Sequence, residues 1–363
     1  MDRKPLISVI MPVYNGEKTV ARAIESVLCQ MDGRIELIVV NDGSMDKSGA
    51  ICDEYAAKNP HIHVIHKENG GTSSAKNRGI AAAKGRYLSF IDCDDTLEPD
   101  TYAAIIPILL EDSPDCLDFG LNYVNNQGES TPQCNKIPKN TLLSVEFMEQ
   151  VILPPLLNLR KDEDNFIFDF ACNKIFKAEI IHNQNVHFDE DKRTWEDRTF
   201  LLRHLKHCKN YYSMKQSFYN YIFTPNSLSQ RYTPEYFRII LANFAHYREL
   251  YEDRFDFDTQ YVSNYWSRAI ENMIFRSLDQ VENQNQIRQN ILHTLTNDLV
   301  MNWFSKRECI YPWQKKIKLL IINGENEEAL NCYIKQHKKH RRKANISVKG
   351  YIRKIIKKVK GGK

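Results

Sequence analysis

Ile7-Ser8-Val9-Ile10-Met11-Pro12 is a short apolar run closed by a proline, and Ile35-Glu36-Leu37-Ile38-Val39-Val40 is a second such run. Short apolar runs bounded by turn residues predict buried strands, with Pro12 ending the first. Between them Val20, Ile24, Val27 and Leu28 recur at helical spacing up to Gln30. The alternation continues through the turn residues Asn41-Asp42-Gly43-Ser44, a helix near 46–57 and a strand at 61–65. Gly70-Gly71 then opens a helix over about 73–83, before a strand at 87–91. Strands joined by single helices imply parallel pairing and right-handed crossovers. The class is therefore α/β with an open sheet. Such sheets bind ligands at the carboxyl ends of their strands. Polar residues gather at that edge: Tyr14-Asn15, Asn41-Asp42, Asn69 and Asp92-Cys93-Asp94-Asp95.

Beyond Pro99 the pattern loosens into a helix at 101–111, a strand at 117–123, a polar loop at 125–140 and a helix at 144–152. An aromatic stretch with short strand signals follows at 166–176, and beyond Arg231 the composition is helical. A hydrophobic fraction of 42% with 26% charged residues excludes wholesale disorder. Every apolar stretch falls short of the ~20 residues that a bilayer span needs. The nine cysteines are odd in number and form no C-x-x-C pair. With no export signal, they read as reduced thiols of a cytoplasmic protein.

The formal charge of +4 conceals an asymmetry. Of 50 Lys and Arg, 13 lie after Leu330, where there is no Asp or Glu, so the first 330 residues carry 37 basic against 46 acidic. In the tail, Val348, Tyr351, Ile352, Ile355, Ile356 and Val359 form an apolar stripe opposite Lys349, Arg353, Lys354, Lys357, Lys358 and Lys360. That is the pattern of an in-plane membrane helix, favoured over a stripe docked on the protein itself. No nucleic-acid partner is expected.

Three carboxylates in Asp92-Cys93-Asp94-Asp95 repel one another unless a cation or protons relieve them. A hard divalent ion held with a diphosphate suits them; an acidic turn capping the next helix is the alternative. Asp42 could accept the imide N–H of uracil or cap a helix. Lys76 is placed to meet phosphate near a helix N-terminus, or is simply exposed. Glu196-Asp197 starts an apolar helix, as a general base or as compensation of the helix dipole. His204-Leu205-Lys206-His207-Cys208 lacks a fourth zinc ligand and reads as helix.

Together these stretches resemble the family-2 glycosyltransferases of the GT-A fold. The resemblance rests on Ile7 to Asn15, Val40 to Asp46, Asn69 to Ile80, Phe90 to Asp95 and Glu196-Asp197, with weaker echoes at Asn173-Lys174-Ile175-Phe176 and Ser227-Leu228-Ser229. It implies a Rossmann-like GT-A sheet and an inverting transfer of one sugar from a UDP-sugar donor with Mn²⁺ or Mg²⁺. Pro12, Tyr14 and Asp42 would hold the base, and Asn69 and Lys76 the ribose or phosphates. Asp92 would face the donor, Asp94 would ligate the metal with Asp92 and Asp95 beside it, and Asp197 would be the base with Glu196 adjacent. The implied organisation is a transferase domain over 1–230, with a nucleotide half to about 100 and an acceptor half from 101. A helical region over 231–330 and a basic membrane-surface tail over 331–363 would follow.

Three departures from the family stand out. Lys76 replaces the usual Arg, Ile222 stands where relatives carry an Arg, and the Q-x-x-R-W motif of processive members is absent. The expectation is a cytoplasmic enzyme, peripheral at the inner face of the cell membrane, that glycosylates a saccharide acceptor on a lipid carrier in cell-surface polysaccharide synthesis. A catalytically silent relative that scaffolds a membrane assembly is the alternative.

Overall fold

A computed structural model describes residues 4–159, 167–191, 195–223, 236–280 and 283–339. The chain divides into two units, one of residues 1–230 with 247–253, the other of 231–246 with 254–363.

The first unit is built on β1 (Ile7–Val13), α1 (Val20–Leu28), β2 (Ile35–Asp42), α2 (Ser48–Lys58), β3 (Ile62–Lys67), α3 (Thr72–Ala82), β4 (Tyr87–Phe90), β5 (Thr96–Leu97) and α4 (Thr101–Glu111). It continues with β6 (Cys116–Val124), β7 (Ser130–Gln133), β8 (Thr141–Ser144), α5 (Val145–Phe147), a π-helical turn at Met148–Ile152 and α6 (Leu153–Leu156). β9 (Lys174–Lys177), α7 (Ala178–Asn183), α8 (Glu196–Leu205) and β10 (Asn210–Ile222) complete it. The strands form one sheet in the order β3-β2-β1-β4-β9-β6-β10-β5, with β7 on β6 and β8 on β10.

β1 pairs in parallel with β2 and β4, and β2 with β3, as single-helix crossovers require. Every residue of β1 and β2 is buried, because helices cover both faces of a parallel sheet. α3 lies close on β1: a Cβ at Gly79 would stand 2.4 Å from Ile10 Cγ2. Only a glycine allows that approach.

Several expectations need correction. β1 does not stop at Pro12 but runs to Val13, because pairing with β4 ends at Ile10↔Phe90 and no partner there needs the missing N–H. The expected loop at 125–140 contains β7, and the expected helix at 144–152 is split into α5 and a π turn. β10 went unforeseen. Its Tyr-rich sequence lacks clean alternation, and its pairing with β6 shifts register around Ser213, Ser217 and Tyr219.

The second unit contains most of α9 (Tyr236–Tyr251), α10 (Gln260–Leu278), α11 (Gln284–Leu295), α12 (Asp298–Lys306), α13 (Pro312–Ile322) and α14 (326–339). Trp266 and Trp303 stack at 5.7 Å, and Phe244 meets both edge-on. Arg307 donates to both oxygens of the buried Glu271, at 3.0 and 2.6 Å, and Tyr333 to one at 3.4 Å. Tyr333 is fully buried on α14, so the tail expected from Asn331 begins inside a packed helix. The last turn of α9 counts with the first unit, where the Tyr251 hydroxyl donates to Leu202 O at 2.7 Å. The tail stripe and Ser227-Leu228-Ser229 lie outside the described residues.

His204, in the sequence cluster read as helix, is fully buried on α8 and donates from Nε2 to Asp115 O at 2.8 Å. Its Nδ1 has no partner among the described residues, so a second proton there would find no acceptor. Burial pushes its pKa down to about 4. The unfolded chain therefore binds the extra proton more readily than the folded one, and stability falls as pH drops from about 6.5 towards 4. The loss amounts to about 3 kcal/mol by pH 4. His204→Gln keeps an N–H for Asp115 O and should flatten that part of the curve in urea unfolding; an unchanged slope would contradict the assignment.

Candidate functional site

The register sets the site's floor. Pro12 pairs with Val40 and Val13 with Asn41, while Ile10 pairs with Phe90, so Tyr14, Asp42 and Asp92 emerge at one edge of the sheet. Pro12 is buried and Tyr14 is 52% exposed.

Asp42 differs from expectation. It is 2% exposed, and its Oδ1 accepts from Lys67 Nζ at 2.6 Å and Gly70 N at 3.0 Å, while Oδ2 accepts from Gly71 N at 2.7 Å. A carboxylate offers about four lone-pair sites, so one on Oδ2 remains for a ligand. Asp42 also anchors the turn before α3: Gly71 takes φ +89°, and Asn69 Nδ2 donates to Asp42 O at 2.9 Å. Asn69 itself is exposed.

Lys76 requires a correction. It does not face open solvent but is 3% exposed, and its ammonium donates to Asp197 Oδ1 at 2.9 Å. Its Nζ sits 5.0 Å from the centroid of the Phe188 ring. Burial opposes its charge, yet Asp197, then Asp92 and Glu196, hold its pKa above the usual lysine value. The other oxygen of Asp197 accepts from Ala171 N at 3.0 Å. Asp197 thus has a donor on each oxygen and remains 21% exposed. One helix, α3, is tied to Asp42 through the N–H of Gly71 at its start and to Asp197 through Lys76.

Lys76 holds Asp197 at 2.9 Å, and Asp92 and Glu196 lie within electrostatic reach of that pair. Burial raises the pKa of Asp92 against the pull of Lys76, with Asp197 and Asp94 adding to the rise. Burial, and then Asp197, push Glu196 up to about 7. Aromatic packing holds the two acidic segments in place: Phe90, before Asp92, meets Phe200, after Asp197, at 5.6 Å, and Phe188 stacks on Phe200 at 4.0 Å.

Asp95, expected beside the metal, is 2% exposed; its oxygens accept from Tyr219 Oη at 2.7 Å and Ile222 N at 2.8 Å. It braces the turn. The side chains of Asp92 and Asp94 accept no hydrogen bond among the described residues, although Asp94 O takes one from Arg22 at 2.8 Å. No group of three or more His, Cys, Asp or Glu among the described residues could hold a metal alone. A hard cation needs only one or two carboxylates when a diphosphate supplies other oxygens, and Asp92 and Asp94 fit that donor set.

Sequence reasoning missed the residues that hold these groups. Lys67, Tyr219 and the Ala171 N–H carry no motif. Asn173-Lys174 supplied a weak signal: the buried Lys174 donates to Phe168 O at 2.8 Å and Phe170 O at 2.9 Å, shaping the loop that presents Ala171. An open cleft lined by Glu98, Asn122, Lys215 and Phe218 includes none of the expected site residues.

Residues 8–183 match the family described as Glycosyl transferase family 2. The chain carries a family-2 glycosyltransferase domain. It is 32% identical over 226 residues to EpsJ, an uncharacterized glycosyltransferase of Bacillus subtilis (strain 168), covering 62% of this chain and 63% of EpsJ. It is 40% identical over 198 residues to the glycosyltransferase GlyG of Streptococcus pneumoniae, covering 53% and 63%. Identity with the minor teichoic acid biosynthesis protein GgaB of B. subtilis is 33%, over 59% of this chain and 22% of GgaB. The matched stretches thus span less than two thirds of these relatives. Among solved structures, S. aureus TarS 1–349 in complex with UDP-GlcNAc aligns with TM-score 0.65 at 18% identity, covering 93% of this chain and 91% of that one. The glycosyltransferase domain has the GT-A fold, its open sheet followed by a helical C-terminal region.

Removing the buried cation should leave the carboxylates facing one another. Lys76→Met is expected to cost about 3–5 kcal/mol at pH 7 in urea unfolding. Without Lys76 the acids hold their protons more tightly in the folded state, so the loss should shrink at pH 5. A cost below about 1 kcal/mol, the range of an exposed pair, would show that the pair is loose.

Proposed function

We propose that this chain transfers a single sugar, with inversion, from a UDP-sugar to a hydroxyl of a saccharide acceptor, lipid-linked, in cell-surface polymer synthesis. The observation that carries the reading is the Lys76–Asp197 pair, which brings Asp197 into one electrostatic cluster with Asp92 although 121 positions separate the pair's members. The donor class draws further support from TarS, solved with UDP-GlcNAc, and the polymer class from GgaB, named for teichoic acid biosynthesis.

Pro12, Tyr14 and the remaining lone pair of Asp42 would take the nucleotide base, with Asn69 beside the ribose. Lys76 acts in this reading through Asp197, holding that carboxylate in place at 2.9 Å, rather than on a phosphate. Asp92 and Asp94 would hold Mn²⁺ or Mg²⁺, and Asp95 fixes their turn. When bound, such an ion would supply Lewis-acid stabilisation of charge on the departing diphosphate. Asp197 removes the proton of the acceptor hydroxyl as it attacks C1, because an alcohol is a poor nucleophile until a base takes that proton. Attack from the face opposite the leaving group is a single displacement and inverts the anomeric carbon. Glu196, with its pKa pushed up to about 7 by burial and Asp197, buffers the base.

The basic tail would keep the enzyme on an anionic, cytoplasmic membrane face, within reach of a lipid-linked acceptor. No helix among the described residues is long and apolar enough to cross a membrane.

Asp197→Asn preserves an oxygen for Lys76 and removes the base. Transfer should fall by about 10²–10⁴-fold while UDP affinity by calorimetry stays within about twofold. Transfer near the wild-type rate would reject Asp197 as base. A wild-type protein that neither transfers nor hydrolyses any UDP-sugar, with Mn²⁺ or Mg²⁺ added, would favour the silent scaffold instead.

A further inference from the structure

We propose that the exposed face of α13 is a docking surface for an anionic lipid bilayer. The helix turns Gln314, Ile317, Leu320 and Ile321 inward and leaves Pro312, Lys315, Lys316, Leu319 and Ile322 exposed. That spacing places the exposed residues on one stripe. Leu319 is 60% exposed and Ile322 39%; just before the helix Ile310 is 68% exposed and Tyr311 54%. Four of the ten large apolar side chains exposed among the described residues therefore fall within this one short segment. Soluble surfaces seldom gather apolar side chains in this way without a partner.

Three features identify the partner as a bilayer. Tyr311 lies parallel to Trp313, with ring centroids 6.2 Å apart, and such amphipathic rings favour the lipid headgroup level. Residues 310–324 contain no acidic residue, and Lys315 and Lys316 are exposed, while Lys318 donates to Arg307 O at 2.8 Å. Lysines flanking an apolar stripe can bury their stems and keep their ammonium groups among anionic headgroups. Of the neighbouring acids, Glu327 is paired with Arg288, Glu328 reaches Lys316 at 3.7 Å as an exposed, weak pair, and Glu308 and Glu325 are exposed at the two ends of the segment, off the stripe itself. A second copy on this stripe, or the basic residues after 339, would instead set like charge against like charge.

The inference deepens the membrane reading made for the tail but stands on different residues. It is tested by flotation of the full-length protein at low salt with vesicles of phosphatidylcholine alone, or with one quarter phosphatidylglycerol. The wild type should float with the anionic vesicles only. Leu319→Asp with Ile322→Asp, and separately Lys315→Glu with Lys316→Glu, should each lower the bound fraction about tenfold or more, with circular dichroism unchanged. The lysine pair keeps the test valid if the aspartates disturb folding. Variants that float like the wild type overturn the proposal. So does a wild type that ignores anionic vesicles, or a lipid-free dimer that the variants merely dissociate in sedimentation. A companion protein with Arg353, Lys354, Lys357 and Lys358 changed to Glu separates the two readings: loss there alone refutes the α13 surface and leaves the tail, and loss in the α13 variants alone does the reverse.

Discussion

The ion pair between Lys76 and Asp197 is the constraint on which the rest of the site depends. A buried ammonium is stabilised where carboxylates surround it, and clustered carboxylates are relieved by a cation among them. The two problems solve each other here. Lys76 is held charged by Asp197, Asp92 and Glu196, and those acids tolerate one another because Lys76 lies among them. Within the acidic turn, Asp92 is the carboxylate that Lys76 relieves before any ligand arrives.

The pair needs a scaffold that brings its members together. α3 supplies one side, starting at a left-handed Gly71 whose N–H binds Asp42 and pressing on β1 where only Gly79 fits. The other side is the cluster of Phe90, Phe188 and Phe200, which locks the turn after β4 against the start of α8. A nucleotide edge and an acidic edge are thus joined through one helix. GT-A architecture appears here as a consequence of where polar residues can be tolerated at strand ends.

Among the first four strands, β1, β2 and β4 were legible because strands buried on both faces read as continuous apolar runs, while the half-buried β3 alternates Ile and Val with His. The helix at 101–111 matched in both bounds. The acidic turn and Glu196-Asp197 stood out as candidates because clustered carboxylates repel one another, although on spacing alone each could also serve a helix N-terminus. What escaped the reading was partnership at long range. Nothing near Lys76 in sequence announces Asp197, so the internal ion pair went unforeseen. Nothing near Asp95 announces Tyr219, because β10 mixes Tyr, Ser, Lys and Gln without a clean period of two. Asp42 was expected to serve a ligand, and three of its four lone-pair sites are already taken by Lys67 at the end of β3 and by Gly70 and Gly71 in the loop after it. Sequence spacing reports which groups are present; packing decides which of them are already engaged.

The account's central claim, that acidic segments remote in the chain are held together through one buried lysine, is tested most directly by a double-mutant cycle. Urea unfolding of the wild type, Lys76→Met, Asp197→Asn and the combined variant yields the coupling between the two side chains. A coupling of about 1–3 kcal/mol is predicted, as for contacting residues in one network. Additivity within about 0.5 kcal/mol would place the two groups apart and contradict the account.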